Sequence, residues 1–324
     1  MSGEKKRGRW ALIKGILSLF LLLLFTVWAV YYIYSHRSDF TALRDVSLVE
    51  LAGIYALSFI AIWIRGYFTL FLTAPFGARV SRVEAFFISL VTTVGNYALP
   101  MRGGVGLTAL YLKRKHAIGY RDFAKISLAR FSTIFLIDSL LGLLAVFVLW
   151  ESEGVFNRPI LIVLVIALVV SGLIHIAASV PLGDRWRFLT RWIGGSTDLL
   201  KTKGVTKVVV GIALLNSAVR VLWILGCFHA ISISLSFYQA LLLSSLIPLS
   251  MVVTLTPGNL GITEGLLIYV SRIFGVGPSS AIMCALLMRS SVIFWSVLMI
   301  PFLRKPYRLL KGALRSEDRP SPSG

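Results

Sequence analysis

The sequence predicts an all-α fold: a polytopic integral membrane helical bundle of six full spans plus two broken re-entrant hairpins forming an inverted repeat. Three observations carry this expectation. Hydrophobic residues make up 57% of the 324 positions and charged residues only 15%, whereas soluble domains run near 45–50% apolar and about 25% charged. That leaves too little polar surface to cover a core, and it excludes a water-soluble enzyme domain. Six segments are each long and apolar enough to cross a bilayer, and two more are apolar but interrupted by proline and glycine. The net charge of +19 then belongs with basic membrane-flanking loops rather than with nucleic acid.

A span takes roughly 20 mainly apolar residues, because a helix rises about 1.5 Å per residue through about 30 Å of hydrocarbon. Ala11–Tyr34 meets that length, exceeds a signal-peptide apolar region and lacks a small-residue cleavage site, so it is expected to be a retained anchor. Leu48–Leu72 is the second span, Ala124–Trp150 the third, Pro159–Ser179 the fourth, Val208–Ile231 the fifth and Ser279–Leu303 the sixth. The organisation is a basic N-terminus at 1–10, a transmembrane domain at 11–304 and a basic tail at 305–324. The last residues of that tail are polar and proline-containing, a composition expected to be disordered.

The interrupted stretches lie between these spans. Val83–Leu112 breaks at Leu99-Pro100-Met101-Arg102-Gly103-Gly104, and Tyr238–Phe274 breaks at Thr256-Pro257-Gly258-Asn259-Leu260-Gly261. Proline removes a backbone donor and glycine loosens the helix, so each stretch is expected to split into two half-helices. The second halves, about Gly103–Leu112 and Gly261–Phe274, are too short to span. One kinked span per stretch is the alternative. Broken helices persist at membrane depth only where protein or a wet cavity satisfies the freed backbone.

Basic residues fix the expected orientation. Of the 33 lysines and arginines, 24 lie on one side, in the N-terminus, the loops after the second span and the first hairpin, the loop around 183–207 and the tail. Arg37, Arg44, Arg158 and Arg272 are left on the other face. The positive-inside rule then puts both termini in the cytoplasm.

The two broken stretches also resemble each other. Pro100 is followed four residues on by Gly104, and Pro257 by Gly261; about thirty residues beyond each proline stands Arg-x-Ser-x-Ile-Phe, beginning at Arg130 and at Arg289. The repeat halves run over about 83–179 and 238–304, entering from opposite faces. Inverted repeats place a substrate site near the midplane between discontinuous helices.

Five arginines fall inside the membrane (Arg65, Arg102, Arg130, Arg220 and Arg289) against two acids, Asp138 and Glu264. A charge at a helix centre costs roughly 2.5–3.5 kcal/mol on insertion scales, so such groups face partners or a cavity. Internal salt bridges are the plain structural reading, above all for Asp138 and Arg220, and Arg65 has the alternative of snorkelling to an interface. The surplus of positive charge points to an anionic ligand, and the planar guanidinium fork suits phosphate. Half-helix N-termini after Pro100 and Pro257 would add backbone donors, with neutral hydrogen bonds from Asn96, Asn259 and Thr263. Glu264 is the expected switch, pairing with an arginine in the empty site or carrying a proton.

Other features carry less. Arg185–Trp192 alternates cations and aromatics, which suits an interfacial helix on anionic lipid or a plain connector. Gly261-x-x-x-Gly265 fits a helix-packing motif. Cys227 and Cys284 lie in apolar runs and the four histidines are scattered, so neither a metal site nor a cofactor is expected.

The residues at both breaks, Asn96–Gly104 and Thr256–Glu264, give the sequence a family likeness. It resembles the lysylphosphatidylglycerol synthase transmembrane region, the flippase-like family of bacterial inner-membrane proteins, over roughly Trp10 to Leu310. In fused relatives this region is proposed to move a modified phospholipid between leaflets while a soluble domain transfers the aminoacyl group. Other members accompany glycosyltransferases or hopanoid and cardiolipin pathways. The resemblance implies a bacterial inner-membrane location, a phospholipid or lipid-linked substrate, and an envelope-lipid biosynthetic enzyme as a partner. It does not imply synthase activity, since no aminoacyl-transfer domain follows the last span. Relatives often carry Pro-Gly-Arg-x-Gly-Glu in the first hairpin; here Met101 and Val105 replace the Gly and the Glu, so the first hairpin lacks a partner for Glu264.

The expected function is therefore a membrane transporter or flippase moving an anionic phospho- or polyprenyl-lipid between leaflets, its phosphate held by intramembrane arginines. The alternatives are a secondary transporter of a small anion and a non-transporting accessory subunit of an envelope-lipid complex. A catalytic constellation is absent from this reading.

Overall fold

A computed structural model describes residues 23, 24, 26–28, 30–98, 103–179, 203–252 and 256–299. Every regular element among them is helical. After helical residues 30–35 and a short 3₁₀ turn at Asp39–Arg44, nine α-helices follow: α1 Leu48–Thr73, α2 Arg82–Ala98, α3 Gly103–His116, α4 Tyr120–Glu153, α5 Arg158–Ser179, α6 Lys203–His229, α7 Phe237–Ser250, α8 Ile262–Ile273 and α9 Pro278–Leu298. Of these, α1, α4, α5, α6 and α9 are long and apolar enough to cross a membrane. They match five of the six expected full spans. Most of the first, together with Arg185–Trp192 and the basic tail, lies outside the described residues.

Local chemistry sets the helix ends. Ser47 and Glu50 close a capping box on α1, and Ser236 and Gln239 close another on α7. In each, the serine hydroxyl accepts from the N3 amide and the N3 side chain accepts from the serine amide, satisfying donors that a helix start leaves open. Gln239 also donates to Glu153 across 2.8 Å, tying the start of α7 to the end of α4.

The first interrupted stretch is a tight antiparallel helix pair. Its helices hold 17 and 14 residues, about 25 and 21 Å at 1.5 Å per residue, both short of the hydrocarbon thickness. Rungs cross the pair along its length. At one end Glu84 accepts from Tyr111 at 2.9 Å and pairs with Lys115 and His116. Burial works against the Lys115 ammonium, but hydrogen bonds to Glu84 and Tyr111 outweigh it and raise the lysine's pKa. In the middle, Thr92 and Thr108 hydroxyls meet at 2.6 Å. Near the break, Gly95 lies on Gly104: a β-carbon on Gly104 would come within 2.0 Å of the Thr92 carbonyl. Gly104 thus serves close approach inside α3 as well as the break before it, the use small residues have between membrane helices.

The second stretch opens wider than the sequence suggests. α7 ends at Ser250, two residues past Pro248, instead of running on to Thr256. Proline leaves the carbonyl four residues earlier without its helical donor and crowds it, which favours an end here. A 3₁₀ turn at Pro257–Asn259 follows, with Gly258 at φ +60° and Gly261 at φ +84° before α8. Left-handed backbone is cheap only for glycine, and Asn259 also adopts it, at φ +57°.

α1 sits between α2 and α6. Gly66 brings α1 against the α2 backbone, where an added β-carbon would lie 2.8 Å from the Ala85 carbonyl oxygen. Gly142 does the same for α4 against Leu164 of α5 and Ser245 of α7. Gly265, by contrast, has open space where a β-carbon would go, so the packing role expected for Gly261-x-x-x-Gly265 does not hold at that residue. The largest apolar cluster gathers α4, α6, α7, α8 and α9 around Phe228, Leu243 and Leu267.

Candidate functional site

The two breaks meet. The C-terminal end of α2 packs against the Pro257–Asn259 turn, and the Tyr97 ring lies over Gly258, within 3.0 Å of where a β-carbon would stand. From α9, Arg289 reaches the same place. Its Nε donates to Glu264 Oε1, its Nη1 donates to the Gly258 carbonyl at 3.2 Å, and its guanidinium carbon lies 5.6 Å from the centre of the Tyr97 ring. Buried Glu264 uses both carboxylate oxygens, because Oε2 accepts the Gly261 amide at 2.7 Å. A carboxylate at the first turn of α8 suits the positive end of the helix dipole. The seat that the sequence offers an anion at this half-helix N-terminus is therefore filled by the chain's own acid.

The Asn259 amide holds the break in shape instead of pointing free donors at a ligand, and the Thr263 hydroxyl accepts one of its hydrogen bonds. The Asn259 amide donates to the Ser250 carbonyl, the Ser250 hydroxyl and the Thr263 hydroxyl at 3.2–3.3 Å. The reason is the left-handed turn, which folds the amide back toward the end of α7. Among the described residues, the buried Asn259 Oδ1 and Asn96 Oδ1, one beside each break, have no hydrogen-bond partner.

A second ion pair stands apart from this junction. Asp138 of α4, buried at 1% exposure, accepts from Arg220 of α6 at 2.7 Å and from the Ser217 hydroxyl. Arg220 also donates from Nε to Ser244 of α7 at 3.0 Å. Three helices are thereby fastened by one guanidinium, which is the structural reading of this pair. Arg130 of α4 lies with its guanidinium carbon 5.2 Å from the centre of the Phe68 ring of α1, a cation–π contact.

The structure thus brings Arg289, Glu264, Gly258, Gly261, Asn259 and Thr263 together, and separates Asp138 and Arg220 into a fastening of their own. Pro100 and Arg102 lie outside the described residues. One residue escaped the sequence reading as a site member. Tyr97 is an aromatic within the quoted Asn96–Gly104 segment, and only the fold shows that it caps the other break. Arg65 sits about two turns inside the end of α1.

Five apolar spanning helices around a junction of two broken ones define a polytopic α-helical membrane protein. The family model of the lysylphosphatidylglycerol synthase transmembrane region matches residues 11–300, and the chain belongs to that family. No curated protein and no solved structure matches it.

Proposed function

We propose that this chain is a transporter that moves an anionic lipid between leaflets, with the lipid phosphate exchanging against Glu264 at the junction of the two breaks. One observation supports this above the others: Glu264 lies between the Arg289 guanidinium and the Gly261 amide, the donor set that a phosphate would use at a helix N-terminus. A phosphate arriving there takes both donors, and Glu264 is released to solvent or protonated. Exchange of one anion for another avoids leaving Arg289 bare in a low-dielectric site, which is the costly state. Lipid tails stay in the bilayer beside the repeat while the headgroup passes the Tyr97–Gly258 contact. Alternating exposure at an inverted repeat supplies the motion. The basic side faces the cytoplasm of the bacterial inner membrane on this reading, and both termini with it.

Reconstitution tests the proposal. Vesicles holding the protein and a trace of fluorescent phosphatidylglycerol should exchange label between leaflets faster than protein-free vesicles, and faster than the same vesicles labelled with phosphatidylcholine. Equal rates for all three would overturn it. Uptake of a soluble phosphate ester without lipid exchange would replace it with the small-anion reading.

A further inference from the structure

A carboxylate also gathers donors at the far end of the α2–α3 pair from the junction. Three groups of α3 converge on one atom, Glu84 Oε1: the Tyr111 hydroxyl at 2.9 Å, the Lys115 ammonium at 2.9 Å and His116 Nε2 at 2.7 Å. Lys115 donates to the Tyr111 oxygen as well, at 3.2 Å. One carboxylate oxygen has two lone pairs, so three donors oversubscribe it. A phosphate group would spread the same donors over several oxygens.

Glu84 has a second place to go. Ser81-Arg82-Val83-Glu84 has capping-box spacing, and half of the box is made: the Ser81 hydroxyl accepts from the Glu84 amide at 3.2 Å. At Ser47–Glu50 and Ser236–Gln239 the later side chain also returns to the serine amide. The Glu84 carboxylate does not, because it is spent on α3. Turning back to Ser81 would complete the box and set its charge in the first turn of α2, where the helix dipole favours it. Tyr111, Lys115 and His116 would then face an anion together.

The surroundings suit one. A single apolar cluster holds Ala78, Val80, Leu112 and Ile118, which brings exposed Arg79, Arg82 and Lys113 to the same end of the bundle. Among the described residues the carboxylates there are Glu84 and Asp122, and Lys125 holds Asp122 at 2.7 Å. Lys115 is 42% exposed while Glu84 and His116 are 13% and 9% exposed, so an anion can approach along the lysine. We propose that Tyr111, Lys115 and His116 form a second anion site, which takes a phosphate group when Glu84 swings to Ser81. The phosphate is that of an anionic phospholipid headgroup or of a free phosphate, bound by charge-assisted hydrogen bonds. This site goes beyond the junction and does not depend on the transport reading.

The test uses the full-length protein in nanodiscs, read by thermal unfolding. In one series phosphatidylglycerol replaces phosphatidylcholine. In the other, inorganic phosphate replaces chloride at constant ionic strength over pure phosphatidylcholine. The wild type should unfold at higher temperature as the anion increases; a response to inorganic phosphate puts free phosphate in the site, and a response to phosphatidylglycerol alone puts a headgroup there. Lys115→Gln should need about 10-fold more anion for the same shift, the loss expected for one charge-assisted contact. Glu84→Gln should need less than the wild type, because the internal competitor loses its charge. Lys113→Gln removes a screened surface charge and should change the response much less. If Glu84 is only a brace between α2 and α3, Glu84→Gln unfolds earlier and its anion response is unchanged, which overturns the site. So does a wild type that responds to neither anion, or a response that Lys115→Gln leaves intact. Equal weakening by Lys113→Gln and Lys115→Gln would mean diffuse surface charge and also overturns it. The expected pattern in a protein that exchanges no lipid between leaflets sinks the transport reading and leaves this site standing.

Discussion

The Tyr97 ring touches both Gly258 and Arg289, so that an aromatic from the first interrupted stretch closes over the turn of the second beside the arginine that braces it. This contact joins sequence segments some 160 residues apart, and it places the two breaks in one site. Gly258 tolerates it because it has no side chain and a left-handed backbone, φ +60°. Gly258→Ala adds strain of about 1–2 kcal/mol from the backbone and pushes a methyl group into the ring. The variant should melt earlier in detergent and lose lipid exchange, and pairing it with Tyr97→Ala should recover part of the melting temperature. No recovery in the double variant would show that the ring and the glycine do not press on each other.

Arg289 and Glu264 should separate under two substitutions. Arg289→Leu strands a buried carboxylate, a loss of about 3–5 kcal/mol for a broken buried pair, and both stability and exchange should fall. Arg289→Lys keeps the charge but not the fork, so exchange should drop about 10- to 100-fold with a much smaller change in melting temperature. Measuring both quantities on both variants decides between a ligand-handling and a purely bracing arginine. Parallel losses in the lysine variant would mean bracing alone.

Asp138 and Arg220 make the opposite prediction. Removing one, as in Arg220→Met, leaves Asp138 buried and unpaired and should destabilise by about 3–5 kcal/mol. Removing both, Asp138→Leu with Arg220→Met, should restore most of the stability and leave lipid exchange near wild type. A double variant that is stable yet inactive would move this pair into the transport site.

Two glycines give a contrast that thermal unfolding can read directly. Gly104→Ala drives a methyl into the Thr92 carbonyl, an overpacking cost of about 1–3 kcal/mol or more, and should splay α2 from α3. Gly265→Ala meets nothing within 4 Å and should stabilise α8 by up to about 1 kcal/mol through helix propensity. Equal effects at the two positions would contradict the packing described for the α2–α3 pair.

Much of the architecture was legible in the sequence for a simple reason. Bilayer thickness converts directly into a length of apolar chain, so Leu48–Leu72, Ala124–Trp150 and Pro159–Ser179 could be read off as spans, and proline with glycine marked both interruptions. The pairing of Asp138 with Arg220 was open to the same reading, since a buried acid and a buried base seek each other wherever the fold allows. Other matters waited on the tertiary structure. Composition counted five arginines against two acids but could not say which arginines the acids would take. That depended on α9 delivering Arg289 to the start of α8, and on α6 delivering Arg220 to α4. Nor could spacing show that Glu264 fills its own helix N-terminus, that Asn259 turns its donors back on Ser250, or that Gly104 lies against Thr92. Those contacts are set by how helices cross, over distances in space that no local periodicity encodes.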